Sequence, residues 1–183
     1  MTIPFVIVLA FVFGSLAGGP SSSPSSAPSS GAALPPVSIS APPPNPAADA
    51  PCTKLIGALP LALPTADGPL PVRPAESTWT YVVAWGQPPV ELICGVPRPA
   101  ALVPGSSAQL IGINGVYWLP VQGKHETVWT TVDRAPYIQV SVPSSYAQPP
   151  LSPISTTIAS TLPAVCVVSP TEADVTKLCT HRS

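Results

Sequence analysis

The chain has 183 residues, seven Lys or Arg against eight Asp or Glu, a net charge of −1 and a mean hydropathy of +0.39. Charge this sparse and balanced provides no basic stripe for a phosphate backbone and no polybasic run for an anionic lipid surface, which excludes nucleic acid and electrostatic membrane attraction as partners. The 29 prolines are far above ordinary usage and mark a chain that is not globular throughout.

Ile3–Phe13 is an unbroken apolar run, long enough for a signal-peptide h-region and short for a membrane span. Ser15 and Ala17 supply the small residues that precede a cleavage point after Ala17. The only positive charge ahead of the run is the α-amino group. Residues 1–17 therefore read as a signal peptide, or, if retained, as an N-terminal membrane anchor over residues 3–19. No Cys follows the small residues, which argues against a lipoprotein anchor.

Residues 18–50 hold nine prolines, nine serines and no aromatic side chain, and the first acidic or basic group of the chain is Asp49. Such a stretch cannot bury enough apolar surface to offset its ordering entropy. It is expected to be a semi-stiff tether of polyproline type.

The remainder, residues 51–163, has the size of one domain, with a tail at 164–183. Asp49 and Pro51 predict a helix start, with Leu55, Ile56 and Leu59 on one face and Pro60 ending it. Residues 60–77 read as loop. Thr78–Trp85 and Val90–Val96 alternate as strands around the turn at Pro88 and Pro89. Asn114-Gly115 supplies the positive φ angles of a tight hairpin between Leu110–Ile113 and Val116–Leu119. Strands are expected at Thr127–Val132 and Tyr137–Val142, joined by a turn at Asp133–Pro136. Ser152-Pro153 opens a second helix carrying Ile154, Ile158 and Leu162 at i, i+4 and i+8. The expected fold is α+β: a mostly antiparallel sheet of five or six strands with an N-terminal and a C-terminal helix packed on it.

Four cysteines in an exported chain predict two disulfides. Three connectivities are possible; the one expected joins Cys52 to Cys94, pinning helix to sheet, and Cys166 to Cys179, tying down the tail. There is no C-x-x-C pair, and His125 and His181 are the only histidines, so neither a metal nor another cofactor is implied.

The catalytic vocabulary is thin. The G-x-S-x-G elbow, the G-x-G-x-x-G turn and the Walker A loop are all absent. His125 sits in a predicted loop, and a hydrolase built on it needs Glu126 or Asp133 as orienting carboxylate. Aromatic residues are denser than catalytic ones. Trp79, Tyr81, Trp85, Tyr117, Trp118, Trp129, Tyr137 and Tyr146 crowd the sheet region. They serve either as core or as a binding face, since a large ring carries a polar handle. The candidate face is Trp85, Arg98, Trp118, Arg134 and Tyr137.

Several blocks resemble a known family: Ala84-Trp85-Gly86-Gln87-Pro88-Pro89-Val90, Cys94-Gly95-Val96-Pro97-Arg98-Pro99, Asn114-Gly115-Val116-Tyr117-Trp118-Leu119, and Thr130 through Ile138. Val142-Pro143, Tyr146, Cys52 and Ala58-Leu59-Pro60 fit as well. The family is the actinobacterial proteins of unknown function grouped as DUF3515, and the resemblance covers about residues 51–163. It implies an exported or membrane-anchored protein and no established reaction. Asp133 stands where the family turn is expected to carry Gly, and the Cys166–Cys179 tail looks like an addition. The resulting expectation is an exported envelope protein, a non-enzymatic module that binds a cell-wall component or an envelope protein. The alternatives are an envelope hydrolase using His125 and a structural stabiliser of a membrane complex.

Overall fold

The computed structural model describes residues 34–103, 107–165 and 167. The leader, the tether up to Ala33, and Cys166 and Cys179 lie outside the described residues. In chain order the elements are β1 (Val37–Ser38), a 3-10 turn (Pro46–Ala48), α1 (Asp49–Ala58), β2 (Ala62–Leu63), β3 (Leu70–Arg73), β4 (Ala75–Glu76), β5 (Val82–Trp85) and β6 (Val90–Val96). They continue with β7 (Ile111–Ile113), β8 (Val116–Gln122), β9 (Glu126–Thr131), β10 (Tyr137–Pro143) and α2 (Leu151–Thr161).

Eight strands form one antiparallel sheet in the order β2-β3-β5-β6-β10-β9-β8-β7, and β1 pairs with β4 as a parallel ribbon. The α+β class and the two helices agree with the sequence, but the sheet is larger than the expected five or six strands. The two strands added to the sheet, β2 and β3, and the ribbon strand β4 come from the stretch 60–77 that reads as loop. Pro71 and Pro74 hide them, since proline breaks the alternation that marks a strand. The opposite error occurs at Trp79 and Tyr81. They alternate like strand residues, yet β5 begins only at Val82, and the two rings meet edge to face at 5.2 Å.

The Pro-rich tether is also shorter than its composition suggests. Residues 34–50 already belong to the fold. Ile39 and Ala48 are buried, and β1 donates Val37 N–H to Pro74 O at 3.0 Å and Ile39 N–H to Glu76 O at 2.8 Å. Arg73 anchors the same segment: its guanidinium donates to Pro35 O, to Gln87 Oε1 and, at 2.8 Å, to Gly86 O. The large aliphatic side chain at Ile39 finds a site that a count of prolines cannot reveal.

Register decides which face of the sheet is buried. Ile138 lies opposite Cys94, Val140 opposite Leu92 and Trp129, and Trp129 opposite Pro120. Opposite residues of an antiparallel pair share a face. These side chains, with Trp118 and Val142 two residues away, therefore form one apolar face, and both helices pack on it. From α1, Cys52 and Leu55 are buried, and the disulfide joins Cys52 to Cys94 on β6. It closes a loop across 42 residues. By chain entropy that is worth about 4 kcal/mol. From α2, Leu151, Ile154, Ser155 and Ile158 point inward at i, i+3, i+4 and i+7. Both helices end in an extended residue, Leu59 or Leu162, placed before a proline.

Two turns carry backbone angles that sequence chemistry anticipates. Asn114 and Gly115 have φ of 47° and 78°, as a tight β7–β8 hairpin needs. The Asn114 amide donates to Ser152 O at 3.1 Å and to Thr156 Oγ1 at 2.9 Å, docking the turn on α2. Gly95, at φ 92°, is the extra residue of a bulge where β6 faces the start of β10. A Cβ at Gly95 would stand 3.0 Å from Ala48 Cβ and 3.1 Å from Trp79 Cζ2, so backbone angle and space both require glycine there.

A buried ion pair closes the end of the sheet where β9 stops. Arg134 and Asp133 are each 3% exposed. Arg134 donates to Asp133 Oδ2 at 2.8 Å and to Gly115 O at 2.7 Å, while Asp133 Oδ1 accepts the Tyr117 N–H at 3.0 Å. Removing one partner of such a pair strands the other charge, which costs about 3–5 kcal/mol. Arg134→Ala is therefore expected to lower unfolding free energy by about that amount in urea denaturation. A loss under about 1 kcal/mol, the scale of an exposed pair, would contradict the assigned role.

Candidate functional site

The five residues expected to form a binding face do not form one. Trp85 and Trp118 are fully buried; their indoles donate to Pro60 O at 2.9 Å and to Ser155 Oγ at 3.0 Å. Arg134 is locked in the ion pair. These three are core residues, because strand alternation turns both tryptophans toward the helices and three oxygens claim the guanidinium. Only Arg98 and Tyr137 retain access. They sit where β6 leaves the sheet and β10 enters it, with Tyr137 opposite Val96 and Arg98 donating to Leu102 O at 3.0 and 3.3 Å.

The residues considered for hydrolysis are likewise dispersed. His125 and Glu126 are exposed at the β8–β9 turn, while Asp133 is buried beyond the far end of β9. The intervening strand is roughly 20 Å long, so Asp133 cannot orient His125. Glu91 lies half-buried on the sheet face away from the helices, opposite Ala84 and Ser141. Its pKa is raised, first by burial and then by the nearby Glu126 carboxylate, with Arg73 opposing. Among the described residues no three His, Cys, Asp or Glu side chains converge as a metal site. No helix of the described residues is long and apolar enough to cross a membrane.

The structure instead builds a cleft that the sequence reading did not single out. Pro120 and Gln122 of β8, Thr127 and Trp129 of β9 and Val142 of β10 share the helix-bearing face, at the end of the sheet that α2 leaves uncovered. After β10 the chain turns back at Pro143–Pro149. Ser144 N–H donates to His125 O at 2.9 Å, Tyr146 N–H to Pro143 O at 3.1 Å, and the Tyr146 hydroxyl to Pro88 O at 2.7 Å. Partial burial raises the Tyr146 pKa, which keeps that hydroxyl a neutral donor. The loop and the sheet border a half-open cleft of about 440 Å³. A second cleft of about 510 Å³ flanks the loop against Pro64–Asp67, and the two share Tyr146, Ala147 and Pro149.

Trp129 lines the first cleft and differs from the other three tryptophans. Trp79 donates its indole N–H to Cys94 O at 2.7 Å, and Trp85 and Trp118 are partnered as above. Trp129 is 8% exposed, and its Nε1–H has no acceptor among the described residues. A buried donor without a partner costs about 1–3 kcal/mol, so each such group calls for an explanation. Alternation in β9 places Trp129 on the inner face. Nothing in the sequence distinguishes it from its three satisfied counterparts.

The family model described as "Protein of unknown function (DUF3515)" matches residues 3–167. The match spans most of the chain, and the chain belongs to that family. No curated protein and no solved structure matches it.

Two measurements check this geometry. Trp118→Phe leaves the buried Ser155 hydroxyl without its donor, whereas Trp129→Phe deletes a donor that has no acceptor. Trp118→Phe is expected to cost about 2 kcal/mol more than Trp129→Phe in urea denaturation, and equal costs would show that both indoles are satisfied. The second concerns Glu91, whose folded-state pKa stands above the ordinary 4.5. Between the unfolded and the folded value the native chain holds the extra proton, so stability falls as pH rises through that window. Glu91→Gln is expected to melt higher than the parent at neutral pH and to match it below pH 4.5. An offset independent of pH would rule out titration of Glu91 as the cause.

Proposed function

We propose that this member of the DUF3515 family is an exported envelope protein whose disulfide-stapled domain is a non-enzymatic binding module. Its ligand seats in the cleft between β8–β10 and the Pro143–Pro149 loop. The apolar leader and the Pro/Ser segment support export and tethering. The Cys52–Cys94 bridge fits an oxidising compartment outside the cytoplasm.

The observation that carries the binding reading is a 440 Å³ cleft lined in part by Trp129, whose buried Nε1–H has no partner among the described residues. A ligand that brings an acceptor would satisfy that group, and the stabilisation would appear as affinity. The hydrolase alternative has the weaker support: His125 and Glu126 are exposed neighbours on a turn, and Asp133 belongs to a buried pair at the other end of β9.

The oxidised full chain is expected to sediment saturably with isolated cell envelopes. Tyr146→Ala should weaken that binding about tenfold, on the scale of a lost interface anchor, while His125→Ala leaves it unchanged. No saturable sedimentation, or binding that depends on His125 and not on Tyr146, would overturn the reading.

A further inference from the structure

Leu34–Pro44 form a strap that meets the domain at β4 and, through Arg73, at β3. Its hold is modest. β1 makes two backbone hydrogen bonds, to Pro74 and Glu76, Ile39 is buried at 4% exposure, and Arg73 donates to Pro35 O. Asn45 follows with a 3.5 Å contact to Gly95 O. The strap has no ionisable side chain of its own, so Arg73 is the one charged group that holds it.

Arg73 lies on the sheet face away from the helices. Arg73 pairs opposite Ala84, and Ala84 opposite Glu91, so the two charges share one row with a methyl group between them. Two strand spacings are about 9.5 Å at the backbone, a gap that two long side chains can close over an alanine. They do not close it here. Among the described residues the only ion pair is Arg134 with Asp133. The Arg73 guanidinium turns instead to three uncharged oxygens, Pro35 O, Gly86 O and Gln87 Oε1, and its buried Nε–H has no partner among the described residues. Uncharged acceptors hold a guanidinium less strongly than a carboxylate does.

Glu91 is the carboxylate left over. It faces Arg73 from β3 and Glu126 from β9, while its direct neighbours Ala84 of β5 and Ser141 of β10 are uncharged. Burial first, and then Glu126, holds its carboxyl above the ordinary value, with Arg73 opposing.

We propose that the Pro35 carbonyl of the strap and the Glu91 carboxylate compete for Arg73, so that the strap is docked while Glu91 is protonated and loosens as Glu91 ionises. The ionised carboxylate draws the guanidinium across Ala84. The strap then keeps only its two β1 hydrogen bonds and the burial of Ile39. Docking takes up a proton, so it weakens as pH rises between the Glu91 value of the released state and the higher value of the docked state. Outside that window it does not respond to pH. Release frees Leu34–Pro44, which adds roughly 35 Å of reach at polyproline spacing. The competition does not involve the cleft or its ligand.

The test uses the full oxidised chain. Ile39→Ser removes the apolar anchor of the strap and leaves Arg73 and Glu91 in place. Lost protection of the Val37 amide in hydrogen exchange confirms release. The Glu91 carboxyl, followed by carbon-13 NMR, is expected to titrate above 4.5 in the parent and below 4.5 in Ile39→Ser, because the freed Arg73 pairs with it. A value that stays above 4.5 with the strap released, or returns to 4.5 as solvation alone dictates, overturns the competition. A second measurement needs no change in the strap. In the parent, the part of Val37 and Ile39 exchange that is insensitive to dilute urea reports local opening. Relative to the unfolded-chain rate it is expected to speed up about tenfold as Glu91 ionises, the factor that one pH unit of linked protonation carries. Glu91→Gln should keep both amides at their low-pH protection throughout. Parent and Glu91→Gln amides that track each other across the titration would overturn the proposal as well.

Discussion

The Arg134 guanidinium has left water, and its place in the fold is set by the oxygens that receive it. Asp133 supplies a carboxylate and a carbonyl oxygen, and Gly115 at the tip of the β7–β8 hairpin supplies a second carbonyl. The backbone extends the same junction: Val132 N–H donates to Tyr117 O, and Val165 N–H, beyond α2, donates to Asp133 O. One charge pair thus ties together the hairpin, the end of β9, the start of β10 and the chain leaving α2. A buried pair is seldom a net source of stability against an apolar substitute, but separating its partners strands a buried charge, which resists any rearrangement of the junction. Here that geometry places the hairpin against α2, where Asn114 completes the contact.

From that fixed end the sheet runs toward the cleft. β8, β9 and β10 are seven, six and seven residues long, and α2 covers only part of their inner face. The Pro143–Pro149 loop encloses the remainder without filling it. On the adjoining central strand β6, opposite the start of β10, the Cys52–Cys94 bridge holds α1. The molecule therefore keeps its most rigid fastenings away from the cleft and borders the cleft with a loop held by a few backbone hydrogen bonds and one tyrosine hydroxyl. Segments held by few contacts are those whose local opening costs least.

Much of this architecture was legible in the residue pattern. Alternation located β6, β8, β9 and β10, Asn114-Gly115 located the hairpin, and the i, i+4 spacing of Ile154 and Ile158 located α2. The Cys52–Cys94 pairing followed from a small domain needing a staple. The short strands β2, β3 and β4 were not legible, because their pairing is dictated by neighbours distant in sequence and proline interrupts them. The candidate site was hardest to read. Trp85, Trp118 and Arg134 have the composition of a binding hot spot, but composition is the same whether a ring packs inward or outward. What separates Trp129 from Trp118 is the serine hydroxyl that accepts from one indole and the lack, among the described residues, of an acceptor for the other, and that difference exists only after the chain has folded.

The bridge between α1 and β6 also determines how the domain answers a mechanical load. A pull on the chain ahead of Leu34 first meets the two hydrogen bonds of β1 and the grip of Arg73 on Pro35, all of which can peel away. The next covalent stop is Cys52. From there tension passes through sulfur to Cys94 and enters β6, a central strand held between β5 and β10. The 42-residue span between the two cysteines, including Trp79 and the short strands, is shielded from extension.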